Sequence, residues 1–175
     1  MAGKDLLIPV FGSVYRISSK HIRDSEGKLP GFDVCVIISR YLLLCPDKTP
    51  GDKAWSSFRD MKDSGPLTKY FKNEVEEAIA ARFTGKVDQL KAACLSLGGH
   101  HPGIDISYDC YLQCDALPRI PLLLLFNDAE DGFPATSSVL FERRAQDYLD
   151  PECLAMTGRL FYSLLKNAQN RRCLS

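Results

Sequence analysis

An α+β fold, with an antiparallel or mixed sheet and about four helices packed mainly on one face, follows from three features of this 175-residue chain. Several short segments alternate apolar with polar residues, or run apolar without a break, and follow one another as hairpins. Elsewhere the apolar residues recur every three or four positions, the period of a helix with one buried face. The two patterns are not interleaved as strand–helix–strand repeats, so a fully parallel sheet is not expected. A single globular domain over residues 1–175 is expected from the length, since a chain of this size buries about 70% of its unfolded surface.

The elements can be read in order. Leu6-Leu7-Ile8-Pro9-Val10 and Val14-Tyr15-Arg16-Ile17 form a hairpin bent near Gly12, with Pro9 marking an edge strand because proline cannot donate to a ladder. Residues 18–30 read as a polar loop. Residues 32–45 are apolar at Val34, Ile37, Ile38, Tyr41, Leu42 and Cys45, which predicts a largely buried helix closed by Pro46. Residues 54–59, Ala-Trp-Ser-Ser-Phe-Arg, predict a short strand. Pro66 opens an amphipathic helix with Leu67, Phe71, Val75, Ala78, Ile79 and Phe83 on one face, and Gly85 ends it. A further helix uses Val87, Leu90, Cys94 and Leu97 and stops at Gly98-Gly99. Strands are expected near residues 106–114, over 119–126 and near 136–142. The last helix is expected from Pro151 to about Lys166, with Asp150 as its N-cap and Glu152 facing the positive end of its dipole.

Composition narrows the setting. Lysine plus arginine and aspartate plus glutamate are both 22, so no basic excess favours a nucleic acid or an anionic membrane. The longest apolar run is far short of the roughly 20 residues that cross a bilayer. The N-terminal stretch carries no secretory apolar core. A soluble, cytoplasmic protein is expected, with no nucleic-acid or membrane partner. The seven cysteines form no C-x-x-C pair, so neither a disulfide framework nor a zinc or iron–sulfur motif can be written. All seven are expected to be free thiols in a reducing compartment.

No Walker loop, G-x-S-x-G, G-x-G-x-x-G or H-E-x-x-H occurs, so no catalytic residue can be named from a motif. Four weaker constellations stand out. Asp128, Glu130 and Asp131 put three carboxylates on one loop, as a hard cation would require, although Ala129 and Ser138 fall where a calcium loop needs oxygen donors. Asp33, Asp60 or Asp63 would have to complete such a site. The alternative is a solvated hairpin loop with its acids outside and Phe133 and Pro134 packed inward. His100 or His101, on a loop, is a candidate metal or axial ligand. Trp55 and Arg59, on one face of the short strand with Phe58 on the other, can stack on or pair with a planar or anionic ligand. Cys153 lies in the first turn of the last helix, where amide dipoles lower a thiol pKa.

Three stretches carry a resemblance: residues 54–59, Leu97-Gly98-Gly99, and residues 126–149, which run from Phe126-Asn127-Asp128 through Val139-Leu140-Phe141 to Tyr148-Leu149. In these the chain resembles an uncharacterised domain family found mainly in strictly anaerobic bacteria and archaea. Some of its members are fused to an iron–sulfur domain of the type found in corrinoid proteins. The resemblance implies a context of anaerobic cofactor or electron-transfer metabolism, with a corrinoid, a tetrapyrrole or a metal ion as the implied cofactor. This chain lacks the clustered cysteines of the fused module. The leading expectation is a non-catalytic binding or accessory module with a protein partner. The alternatives are a metal- or thiolate-dependent enzyme and a structural subunit of a larger complex.

Overall fold

A computed structural model describes residues 5–172, and over them the fold is α+β, with four helices and two antiparallel sheets. The first sheet joins β1 (Leu6–Val10), β2 (Ser13–Ile17) and β3 (Ile22–Arg23) in that order. The second has the order β4-β7-β6-β5, formed by β4 (Trp55–Ser57), β5 (Cys110–Leu117), β6 (Ile120–Asn127) and β7 (Thr136–Glu142). The helices are α1 (Phe32–Leu43), α2 (68–83), α3 (Val87–Ser96) and α4 (Pro151–Arg172).

The β1–β2 turn shows how sequence sets geometry. Phe11 and Gly12 both have positive φ, 45° and 76°, as the tight two-residue hairpin turn requires. Glycine takes that conformation freely, whereas Phe11 does so at a cost. Its ring is buried and stacks on Phe161 of α4 at 5.4 Å between centroids, and its N–H donates to the Ala116 carbonyl of β5 at 3.3 Å. One strained residue thus ties the small sheet to the large one.

The core lies on one face of the large sheet. Leu122, Leu124, Phe126, Val139 and Phe141 point to the helices, and every one is buried. On the opposite face Leu123 and Leu125 are buried too, with Trp55, Tyr111 and Leu140 half-buried around them. Where α2 crosses α4, the ring of Phe71 occupies the space above Gly158: a Cβ there would lie 2.4 Å from Phe71 Cε2. Phe71 also stacks on Phe58 at 4.3 Å. The glycine, unfavourable in a helix by about 1 kcal/mol relative to alanine, is what lets the two helices close.

Four details differ from the sequence reading. Residues 22–23 of the polar loop add a strand. Residues 58–60 form a 3₁₀ turn, fixed by the Ser57 hydroxyl donating to Asp60 at 2.5 Å, so the strand alternation stops at Ser57. Strand β5 starts at Cys110 and runs on to Leu117, because β6 is joined to it through Pro118-Arg119 and an irregularity between Asp115 and Leu117 brings Leu117 opposite Ile120. Helix α4 continues to Arg172, since Leu160, Phe161, Leu164, Leu165 and Ala168 carry its apolar period onward. Its cap is the expected one: Asp150 Oδ1 accepts the Cys153 N–H at 2.9 Å.

Candidate partner-binding site

The loop between β6 and β7 is held by its own acids. Asp128 Oδ1 accepts the N–H of Ala129 at 2.8 Å and that of Gly85, in the α2–α3 turn, at 2.7 Å. Asp109 Oδ2 accepts the Asp128 N–H at 2.8 Å, and Asn127 Oδ1 accepts the Asp109 N–H at 3.3 Å. A carboxylate that receives backbone amides contributes more than a solvated one, because charged hydrogen bonds are the stronger kind. Asp128 and Asp109 are therefore braces between three chain segments.

Beyond the brace the loop closes on itself. Glu130 and Phe133 exchange backbone hydrogen bonds, Phe133 N–H to the Glu130 carbonyl at 2.8 Å and Glu130 N–H to the Phe133 carbonyl at 3.2 Å, around Asp131-Gly132. The inward packing expected of Phe133 is not found: its side chain is 75% exposed, because the closed turn aims it outward. Glu130 and Asp131 are exposed beside it. Under the loop lies a polar groove of about 440 Å³ lined by Ile106, Tyr108, Asp109, Asp128, Glu130 and Phe133, among others. The result is an outward-facing aromatic ring with an acidic rim.

The other sequence-chosen residues lie elsewhere. Trp55 pairs in register with Glu142, at the far end of β7 from Thr136 and the acidic loop. Glu142 is itself buried and paired with Arg144, an ion pair that no motif announces. Arg59 does not share a strand face with Trp55, since the 3₁₀ turn carries it away; it is exposed and lies 3.6 Å from Asp60. His100 pairs through its backbone with Gln113 of β5. The His101 ring meets Tyr111 edge-on at 4.7 Å, and its Nδ1 accepts the Gly103 N–H at 3.3 Å. Among the described residues no group of three or more His, Cys, Asp or Glu side chains is placed to hold a metal ion, so the imidazoles and the acids lack the companions that a metal centre of that kind would need.

Three of the buried thiols are held protonated by their surroundings. Burial pushes the Cys153 thiol up to about 12, and the nearby Asp150 carboxylate adds to it, against the lowering that a helix N-terminus alone would give. Cys110 is pushed up to about 11 by burial. Cys94 is raised first by its hydrogen bond with the Cys114 thiol and then by burial. The six described cysteines are all free, and Cys173 lies outside the described residues.

One feature had no sequence signal short of the helix pattern itself. Residues Lys72–Glu77 of α2 are π-helical, and π turns concentrate at functional positions. There the Glu76 carboxylate accepts the Val139 N–H at 3.0 Å, and the Glu76 carbonyl accepts the Ser137 hydroxyl at 2.7 Å. Burial holds the Glu76 carboxyl above its ordinary range, partly offset by the Val139 amide and by Lys72. The side chain covers the stretch of β7 that lies beyond the short β4, where a strand edge would otherwise be bare.

Among the described residues no helix is long and apolar enough to cross a membrane. No curated protein and no solved structure matches the chain. A family model does, over residues 1–163, and it is that of a domain of unknown function. The chain therefore belongs to the DUF3786 family.

Proposed function

We propose that this domain is a non-catalytic binding or accessory module that docks a protein partner on the tip of the β6–β7 hairpin. The observation that carries the reading is Phe133, three-quarters exposed on a loop that two backbone hydrogen bonds and the Asp128 brace hold in one shape. An aromatic anchor that is already ordered loses little entropy on binding, and such residues dominate interface energies. The partner this favours has an apolar pocket for the ring and a basic rim facing Glu130 and Asp131.

The wider setting follows the family resemblance: a cytoplasmic role in anaerobic cofactor or electron-transfer metabolism, in which a corrinoid, tetrapyrrole or metal would be carried by the partner. The free thiols suit such a reducing compartment. The test is affinity capture under anaerobic conditions from the native host, with the Phe133→Ser variant and a Glu130→Lys, Asp131→Lys double variant beside the native protein. A stoichiometric partner lost with Phe133→Ser, and weakened by salt, supports the reading. Equal recovery of every partner by all three proteins rejects it.

A further inference from the structure

Helix α1 is apolar on two opposite faces. Val34, Ile37, Ile38 and Tyr41 are buried against the rest of the domain. On the other side of the helix lie Phe32, Val36, Ser39 and Leu43. There Phe32 and Leu43 are each 76% exposed, Ser39 is exposed between them and Val36 is half-buried. Leu29 just before the helix and Leu44 just after it are exposed as well and lengthen the strip. A helix that is apolar all round is ordinarily covered all round, and an apolar strip on a surface marks an interface.

The order of the residues says what covers it. Phe32, Val36, Ser39 and Leu43 follow one another by four, three and four positions, the spacing of the seam in a two-helix coiled coil. Turned end over end against a copy of itself, α1 sets Phe32 on Leu43 and Val36 on Ser39. Along one flank of the strip lie Asp33 and Arg40, the acid of the first turn and the base of the last. The same antiparallel register sets Asp33 of each copy opposite Arg40 of the other. The opposite flank, Cys35 and Leu42, matches apolar against apolar. A parallel pair would set Arg40 beside Cys35 and leave both charges unmatched. Arg40 Nε lies 3.2 Å from Asp150, and the half-exposed guanidinium has further donors for a second carboxylate. We propose that α1 is a homodimer seam, on which a second copy of this chain packs its own α1 antiparallel, about a twofold axis that crosses the helix between Ile37 and Ile38. The seam uses no residue of the hairpin tip and does not rest on the partner reading.

The test is sedimentation equilibrium of the native chain over a concentration series, with variants beside it. A seam of 12 residues is short for a stable interface, so the dimer is expected to form in the micromolar range and to dissociate on dilution. Phe32→Ser with Leu43→Ser should abolish it, and because both side chains are exposed in the monomer, circular dichroism should show the fold unchanged. Asp33→Arg and Arg40→Glu should each weaken self-association about tenfold, by setting like charges across the seam. Mixing these two variants should restore association as a heterodimer, because its charges are complementary again. Phe133→Ser should leave the dimer intact. A native chain that is monomeric even at about 1 mM, its α1 face left to a different protein, overturns the proposal. So does a dimer that survives Phe32→Ser with Leu43→Ser or is lost with Phe133→Ser, or a mixture of the charge variants that associates no better than either alone.

Discussion

The hairpin end of the large sheet and the groove between α2, α3 and α4, lined by Arg82, Lys86 and Gln169 among others, carry opposite charge, and they differ more deeply in how their polar atoms are met. At the hairpin, the Asp109 and Asp128 carboxylates lie against backbone amides and are used up in holding the loop. In the groove, long side chains from three helices meet each other and, among the described residues, leave a donor, Arg82 Nε, and an acceptor, Gln169 Oε1, over. Helix interiors spend their own amides internally, so the polar atoms of a groove between helices are met by side chains or by water. A turn offers free amides to any nearby acid. Of the three acids on the loop, Asp128 therefore serves the fold, and only Glu130 and Asp131 are left facing outward.

The largest expected effect tests the seam between α2 and α4. Phe71→Ala should cost about 3–5 kcal/mol, because the ring fills the crossing of α2 and α4 over Gly158 and stacks on Phe58. Denaturant midpoints measure it, and a loss under about 1 kcal/mol would mean that the ring does not hold the two helices together. On the hairpin side, Asp128→Ala should cost about 1–2 kcal/mol through the two amides it leaves unpaired. Glu130→Gln and Asp131→Asn should each stay within about 0.5 kcal/mol, as exposed substitutions do. Equal losses at all three acids would erase the distinction between brace and rim.

A third experiment concerns Glu76, between the two regions. Its carboxyl is raised in the folded state, so folding favours the protonated form. The stability this adds is complete below the ordinary value of 4.5 and is lost as pH rises through the higher folded-state value. Glu76→Gln keeps an acceptor for Val139 and does not titrate. The variant should therefore gain on the native protein as pH rises from acid to neutral, and denaturation midpoints that differ by a constant amount across that range would refute the raised value. The smallest effect is expected from thiol alkylation near neutral pH, read by mass spectrometry. Cys45, which is exposed, should be modified well before Cys153 and Cys110, whose thiols are buried and raised to about 12 and about 11. Early labelling of Cys153 would show that the start of α4 opens more readily than its packing implies.

Much of the fold is legible in the sequence because the relevant signals are local. Asp150-Pro151-Glu152 starts a helix through its own cap, and the unbroken apolar run from Ile120 to Phe126 reads as a strand, which is buried on both faces. The acidic loop is legible as a loop. Its Phe133 is not legible as an outward residue, because apolar character predicts burial and only the closed turn reverses it. Arg59 is misplaced by the same kind of event, a single hydrogen bond from Ser57 to Asp60 that ends a strand early. The groove is illegible for a simpler reason: Arg82 and Asn170 lie 88 residues apart, and nothing in either neighbourhood says that they meet.

The π turn in α2 has a consequence for how the length of this chain can vary. Phe71, Val75, Ile79 and Phe83 are all buried and fall every fourth residue, a spacing that overshoots an α-helical turn by about 40° at each step and would swing the face by about 120° over three. The wider winding of residues 72–77 takes back that drift and turns the Glu76 carbonyl toward Ser137. A π turn of this kind is an α-helix with one residue too many. Removing an exposed residue such as Asn73 should let α2 relax to regular α-helix with Phe71 and Ile79 still facing the core, so the loss falls on the Ser137 and Val139 contacts. Inside a helix, where a deletion normally rotates everything that follows, this segment is a place where the gene can lose a codon and the protein keep its core.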